Sequence, residues 1–102
     1  MLSPILFALA SASSQSSDPC PMRIDVTNAG DFFTNRFYGH YKTSPKLLDR
    51  DLKGGCYNDN DPRAVSSVTV RIESGAPDAR VALLYRILEQ NGWPKPKIKV
   101  VP

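Results

Sequence analysis

The clearest hydrophobic pattern in the chain lies in residues 64–73, where β-branched and polar residues alternate. This alternation predicts a strand with Val68, Val70 and Ile72 on one face. Residues 77–91 follow with apolar side chains spaced three and four apart, which predicts an amphipathic helix lying on a sheet.

The helix is expected to end at Asn91-Gly92, and Pro94 prevents its continuation. Alternation resumes over residues 97–101, with Ile98 and Val100 expected to face inward. A strand, a helix and a strand joined by connections of this length predict a right-handed crossover between parallel strands. The three elements are expected to share one buried core, formed by Val68, Val70, Ile72, Val81, Leu84, Leu88, Ile98 and Val100.

The first half of the chain has a weaker pattern. Residues 23–28 alternate polar and apolar side chains and lead into Asn28-Ala29-Gly30, which predicts a short strand with a turn behind it. The aromatic residues Phe33, Phe37 and Tyr41 recur every four positions, which favours one or two helical turns.

A second, short helix is predicted to begin at Pro45 and to end at Gly54-Gly55. The patterns together predict an α+β fold. We expect a small single domain with three or more strands in one sheet, a C-terminal β-α-β unit, helices on one face and one disulfide.

The N-terminal segment resembles a secretory leader. Residues 1–12 contain an uncharged apolar run followed by Ala-x-Ala sites, and they are interpreted as a signal peptide, although a basic start is missing. Residues 13–19 form a Ser-rich tether, and residues 20–102 form the domain. The alternative is a disordered N-terminus. The apolar run is far shorter than the ~20 residues of a membrane span, so no spanning segment is expected.

The two cysteines, Cys20 and Cys56, are predicted to form a disulfide, because export places the chain in an oxidising compartment. The predicted location is therefore secreted or periplasmic. Closing a loop of about 35 residues is worth roughly 3–4 kcal/mol. A zinc site is not expected, because one histidine and two cysteines fall short of four ligands.

The chain has 13 basic and 10 acidic residues, a formal charge of +3. The basic residues form no block. The densest run, residues 95–99, alternates lysine with apolar or proline residues, as on the solvent face of an edge strand. Nucleic-acid binding is not expected, because it usually requires a clustered basic face.

Candidate chemistry is sparse. His40 is the only histidine, and catalysis would require a nucleophile or an orienting carboxylate beside it. Residues 58–61 supply clustered oxygen ligands but lack the glycine and the twelfth-position glutamate of an EF-hand, so a polar turn is favoured. No catalytic residue, metal site or cofactor is predicted. Tyr38 and Tyr41 are candidate ligand-binding residues. They belong to a cluster of five aromatic residues: Phe32, Phe33, Phe37, Tyr38 and Tyr41.

Residues 80–100 carry a family resemblance. The series Arg80-Val81, Leu84, Leu88, Gly92, Trp93-Pro94 and Lys97–Val100 is similar to the second helix and following strand of outer-membrane-protein-A-like peptidoglycan-binding domains. The resemblance implies that Arg80 binds the peptide-stem carboxylate of peptidoglycan. The Thr-Asp motif that supplies the family's partner aspartate is absent.

We therefore expect a non-enzymatic binding domain that acts in the cell envelope, with peptidoglycan as the candidate ligand and Arg80, Tyr38 and Tyr41 as candidate contacts. The alternative is a small soluble inhibitor or immunity-type protein that blocks a partner enzyme. An enzyme working through His40 and a neighbouring aspartate is a third hypothesis. The sequence does not indicate an oligomeric state.

Overall fold

The computed structural model describes residues 20–35, 39–54, 56 and 64–102. The predicted leader, the tether and the polar turn at residues 58–61 lie outside the described residues. The described elements follow in the order β1 (Pro21–Val26), β2 (Phe32–Thr34), β3 (Tyr41–Thr43), α1 (Pro45–Lys53), β4 (Ser67–Glu73), α2 (Asp78–Gln90) and β5 (Lys97–Val101).

The five strands form one mixed sheet in the order β3-β2-β1-β4-β5. β1, β2 and β3 pair antiparallel, whereas β1 with β4 and β4 with β5 pair parallel. Helix α2 connects the adjacent parallel strands β4 and β5. The predicted α+β fold with a C-terminal β-α-β unit is confirmed.

Both helices pack on the same face of the sheet. Along β1, Met22, Ile24 and Val26 are buried, while Arg23 and Asp25 on the opposite face are partly exposed. The side chains that cover β1 and β4 come from both helices: Leu48, Leu52, Leu84, Ile87 and Leu88. This leaves a helix-covered face and an open face.

The ends of both helices follow the local sequence. The Ser44 hydroxyl accepts a hydrogen bond from Leu47 N and caps α1, which begins at Pro45. Helix α2 ends at Asn91, and Gly92 follows with φ +87°. A side chain at Gly92 would be strained in this left-handed conformation, which explains the glycine there. Neither described helix is long and apolar enough to cross a membrane.

The predicted aromatic helix is wrong. Phe33 lies on β2 and Tyr41 on β3, and the two strands pair antiparallel in place of a helical turn. Phe37 lies outside the described residues. The burial pattern shows the reason. Phe32 and Thr34 are buried on the helix-covered face, whereas Phe33 between them is half-buried, so burial repeats every two residues as in a strand. The four-residue spacing of the aromatic residues is compatible with this strand pattern as well as with a helix.

The predicted burial of Ile98 and Val100 is also wrong. Val68, Val70, Leu84 and Leu88 are buried as expected, and Ile72 and Val81 are partly buried. Ile98, however, is 51% exposed and Val100 is 69% exposed. Both side chains point to the helix-covered side, because Ile98 pairs with the buried Val70. They are exposed because β5 is the edge strand and α2 does not extend over it.

The Cys20–Cys56 disulfide is present, and both cysteines are buried. It ties the residue before β1 to a residue just beyond α1. The Cys20 amide also donates to the Ser66 hydroxyl, and the Ser66 amide donates to the Cys20 carbonyl. The start of β1 is thereby fixed both to the helical layer and to the start of β4.

A polar contact joins the two helices. Asn91 Nδ2 donates to Asp49 Oδ1 at 2.8 Å and to the Ile87 carbonyl at 2.8 Å. The hydrogen bond from Asn91, followed by that from Lys53, holds the pKa of Asp49 below its usual value. The C-terminal end of α2 is thus linked to the exposed side of α1.

The contrast between a buried and an exposed position on the helix-covered side is directly testable. We expect Leu84→Ala to lower the free energy of unfolding by about 2–5 kcal/mol, because Leu84 is fully buried and its truncation leaves a cavity. Ile98→Ala is the matched control and should cost only about 0.5 kcal/mol. Urea denaturation measures both, and equal losses would contradict the assignment of β5 as an uncovered edge.

The disulfide gives a second prediction. We expect Cys20→Ala/Cys56→Ala to lower the free energy of unfolding by roughly 3–4 kcal/mol, because the unfolded chain regains the entropy of an open loop. Urea denaturation of the wild type with a thiol reductant should shift to the same midpoint as the double variant. An unchanged midpoint with the reductant would show that the bridge contributes nothing.

Candidate functional site on the open face of the sheet

The register of the sheet sets five side chains in one transverse row on the open face. Asp25 of β1 pairs with Phe33 of β2 on one side and with Arg71 of β4 on the other. Phe33 pairs with Lys42 of β3, and Arg71 pairs with Lys99 of β5. Because directly paired residues project to the same side of a sheet, these residues form a continuous charged strip with one aromatic ring.

Asp25 is the most constrained member of the row. Its Oδ2 lies 3.1 Å from His40 Nε2, and its Oδ1 lies 3.2 Å from Arg23 Nε. The Oδ1 atom is buried and has no hydrogen bond of good geometry among the described residues, so its contact with Arg23 is that of an ion pair. The carboxylate is already occupied by two cationic or potentially cationic neighbours.

His40 is held against the sheet by an aromatic contact. Its ring stacks on Phe33 with 4.7 Å between centroids and 17° between planes. The half-exposed imidazole borders a shallow cavity of about 240 Å³, whose other walls include Asp25, Arg71 and Glu73. The structure therefore brings His40 next to an aspartate, as the third hypothesis from the sequence required.

The chemistry that His40 and Asp25 could perform is limited by their neighbours. The described residues contain no free cysteine and no group of three or more metal-ligating side chains. The described residues that line the cavity are Asp25, His40, Arg71, Glu73 and Val101, and none carries a hydroxyl or thiol nucleophile. This arrangement favours ligand binding through charge.

Three cations at the β4–β5 side of the open face, Arg71, Lys97 and Lys99, form no ion pair with a carboxylate of the described residues. Asp25 is the strand neighbour of Arg71 but makes its ion-pair contacts elsewhere. Lys42, by contrast, lies 3.6 Å from Asp31. Arg71 and Lys99 are directly paired on strands only about 4.8 Å apart, and like charges in that position destabilise a sheet. An anionic ligand there would relieve this repulsion.

Arg80 has a structural role on the helix-covered side of the sheet. Its Nε donates to the Gly30 carbonyl at 2.9 Å, and its guanidinium carbon lies 4.4 Å from the centre of the Phe32 ring. These contacts attach the first turn of α2 to the turn between β1 and β2. Neither Asp78 nor Glu73 forms an ion pair with Arg80.

Gly30 is required at this contact for two reasons. Its φ of +89° lies in the left-handed region, and a Cβ there would lie 3.3 Å from Arg80 Cγ. The turn that contains it is closed by hydrogen bonds from Gly30 N to the Thr27 carbonyl and from Asp31 N to the Thr27 hydroxyl. The predicted turn is confirmed, with Arg80 as an additional reason for its glycine.

The predicted ligand-binding residues are not assembled into one site. Tyr41 is half-exposed on β3 and pairs with Thr34, at the opposite end of β2 from the Gly30 turn that binds Arg80. It borders a small cavity with Leu47 and Arg50 of α1. Tyr38 lies outside the described residues.

The site residues Asp25, Arg71 and Glu73 are not among the candidates that the sequence pattern predicts. The lysines at 97 and 99 were recognised as the exposed side of an edge strand, but their neighbours were not. The available signal was the two-residue alternation in residues 23–27 and 67–73, whose polar positions all carry charges or hydroxyls. This alternation does not reveal the strand order, which sets the polar positions of different strands side by side.

Comparison with protein-family models, with curated proteins and with solved structures found no match to this chain. The resemblance of residues 80–100 to outer-membrane-protein-A-like peptidoglycan-binding domains therefore stays a prediction from the motif.

The contacts of Arg80 give a prediction about stability. We expect Arg80→Ala to lower the free energy of unfolding by about 1–3 kcal/mol, because it removes a partly buried charged hydrogen bond and a cation–π contact. Arg86→Ala on the exposed side of α2 is the control and should leave stability within about 0.5 kcal/mol. Thermal and urea unfolding measure both. Equal stability of the two variants would show that the Arg80 contacts contribute nothing.

Proposed function

We propose that this protein is a non-enzymatic binding domain that acts outside the cytosol, in the cell envelope, and holds a carboxylate-bearing partner on the open face of its sheet. The observation that carries the proposal is that Arg71, Lys97 and Lys99 have no ion-pair partner among the residues that the structure describes. We define these three residues as the cationic corner. Peptidoglycan, whose peptide stems end in carboxylates, is the envelope component with this chemistry.

The charge balance of the open face supports this proposal. The strands present five cations to the open face, at positions 23, 42, 71, 97 and 99, and two carboxylates, at positions 25 and 73. The difference is three positive charges on one surface. Such a surface attracts anionic partners and speeds their association, and the effect weakens as salt is added.

The location outside the cytosol is supported by two independent features. A disulfide joins Cys20 to Cys56, and disulfides persist mainly in oxidising compartments. Residues 1–12 have the order of segments expected of a signal peptide.

A binding function fits the open face better than catalysis does. The Asp25 carboxylate is occupied by Arg23 and His40. A general base works with a nucleophile or water placed against it, and among the described residues of the cavity no hydroxyl or thiol is available. The His40–Asp25 pair instead fixes one wall of the shallow cavity beside Arg71.

A second candidate function is that of a small inhibitor or immunity-type protein that blocks a partner enzyme. It is favoured by the exposed edge of β5, because strand addition to a sheet edge is a common mode of protein recognition. On this alternative the cationic corner meets acidic residues of the partner protein.

The proposal predicts salt-sensitive binding to carboxylate polymers. We expect the wild type to bind poly-L-glutamate and to sediment with purified peptidoglycan at low salt, and to be released as salt is raised. Arg71→Ala/Lys99→Ala should weaken both interactions about tenfold, which corresponds to ~0.7 kcal/mol for each lost ion pair. Fluorescence anisotropy and co-sedimentation measure the two interactions.

The matched control is Lys46→Ala/Arg86→Ala, which removes two exposed positive charges from the helices and changes the net charge equally. It should bind within about twofold of the wild type. Binding of poly-L-glutamate without peptidoglycan would support the carboxylate-binding function and reject peptidoglycan as the ligand. If neither polymer binds, or if both double variants lose the same affinity, the proposal is wrong.

A further inference from the structure

The apolar side of β5 is an exposed surface that the proposed function does not use. Ile98 and Val100 project to the helix-covered side of the sheet but lie beyond the cover of α2, so both are more than half exposed. Next to Ile98 is a groove of about 420 Å³ between β5 and α2, lined by Tyr85, Trp93 and Pro96. Exposed aliphatic and aromatic side chains in one groove mark an interaction surface.

The edge of β5 also offers backbone hydrogen-bonding groups. β5 pairs with β4 on one side, and among the described strands it has no neighbour on the other. Pro96 and Pro102 flank it and cannot donate backbone hydrogen bonds, so the free edge is limited to the five residues Lys97–Val101. An exposed edge of this kind pairs readily with a further strand.

The two sides of β5 differ in chemistry, and this difference specifies the strand that fits. Lys97 and Lys99 project to the open face beside Arg71, whereas Ile98 and Val100 project to the helix-covered side, where Ile98 lines the groove. A strand paired with β5 places alternate side chains on these two sides. Acidic residues would meet the cationic corner, and apolar residues would cover Ile98 and Val100.

The groove side has no surplus of positive charge to attract an acidic side chain. Its wall carries one carboxylate and one ammonium group, those of Glu89 and Lys95, and their charges balance. The acidic positions of an added strand are therefore favoured on the open face and its apolar positions in the groove. A shift of the strand by one residue would exchange the two sides and lose both sets of contacts.

A second copy of this chain fits the edge poorly. A two-fold antiparallel pairing of β5 with itself keeps both sets of helices on one side and brings the lysine-bearing faces together. In the register that pairs all five residues of the strand, Lys99 lies opposite Lys99 of the second copy, and like charges in that position are unfavourable. Lysines on an edge strand are a known means of preventing self-association.

We infer that the partner of this domain is an extended, acidic polypeptide segment that pairs with β5, with alternate acidic residues over Arg71, Lys97 and Lys99 and apolar residues over Ile98, Val100 and the Trp93 groove. The inference rests on the proposed function, since it keeps carboxylate binding by the cationic corner, but it takes a polypeptide in place of peptidoglycan as the carboxylate-bearing partner. It adds that recognition includes main-chain hydrogen bonds along β5 and apolar contacts on its other side.

The test uses two labelled synthetic peptides of nine residues with identical composition. One alternates glutamate with valine, and the other carries the same residues in two blocks. We expect the alternating peptide to bind about tenfold more tightly than the block peptide, because only alternation satisfies both sides of β5. Hydrogen exchange of the complex should show new protection of the outward-facing amides of β5.

Variants separate the edge from the open face. Ile98→Thr/Val100→Thr keeps β-branched side chains and the net charge but removes the apolar surface, so we expect about tenfold weaker binding of the alternating peptide and unchanged binding of poly-L-glutamate. Leu47→Thr, at an exposed apolar position on α1, is the control and should bind both probes as the wild type does.

The possible outcomes distinguish the two proposals. Equal affinity for the two peptides without amide protection, together with poly-L-glutamate binding that requires Arg71 and Lys99, would overturn the inference and leave the proposed function standing. Absence of binding to every acidic probe would overturn both. A concentration-dependent dimer that Ile98→Thr/Val100→Thr abolishes would assign the edge to a second copy and overturn the inference.

Discussion

The structure depends on the covering of one side of a five-stranded sheet by two short helices. A domain of this size buries only about two thirds of its unfolded surface, so the apolar residues must be concentrated on one face of the sheet. Met22, Ile24 and Val26 of β1 occupy the centre of that face, between the two helices and the strands on either side. The opposite face stays in contact with water and carries the charges.

The position of the helical layer is held by contacts outside the core. The Cys20–Cys56 disulfide fixes the end of α1 to the start of β1. At the other end of the sheet, Arg80 attaches the first turn of α2 to the Gly30 turn and lies over Phe32. The arginine that the family resemblance assigned to a ligand is therefore engaged in holding the helix on the sheet.

The two helices cover only part of the sheet, and this accounts for both the cationic corner on the open face and the exposed apolar side of β5. Two helices are enough for β1, β2 and β4, but β5 lies beyond them, so Ile98 and Val100 are exposed beside the Trp93 groove. On the open face no layer separates the strands from solvent, so Arg71, Lys97 and Lys99 are accessible together. An uncovered edge and an uncovered face meet at the same strand, which is why one extended partner could contact both.

Local sequence determined the presence of β1, β4 and the two helices, the pairing of the two cysteines and the alternation of β5. Each of these depends mainly on residue types and on spacing along the chain. The hairpin of β2 and β3 was missed, because a four-residue aromatic spacing fits a helix as well as alternate positions on strands. Tertiary structure alone decided the rest. Strand order and register, which arise from contacts between distant segments, placed His40 beside Asp25, paired Arg71 with Lys99 and left Ile98 outside the core.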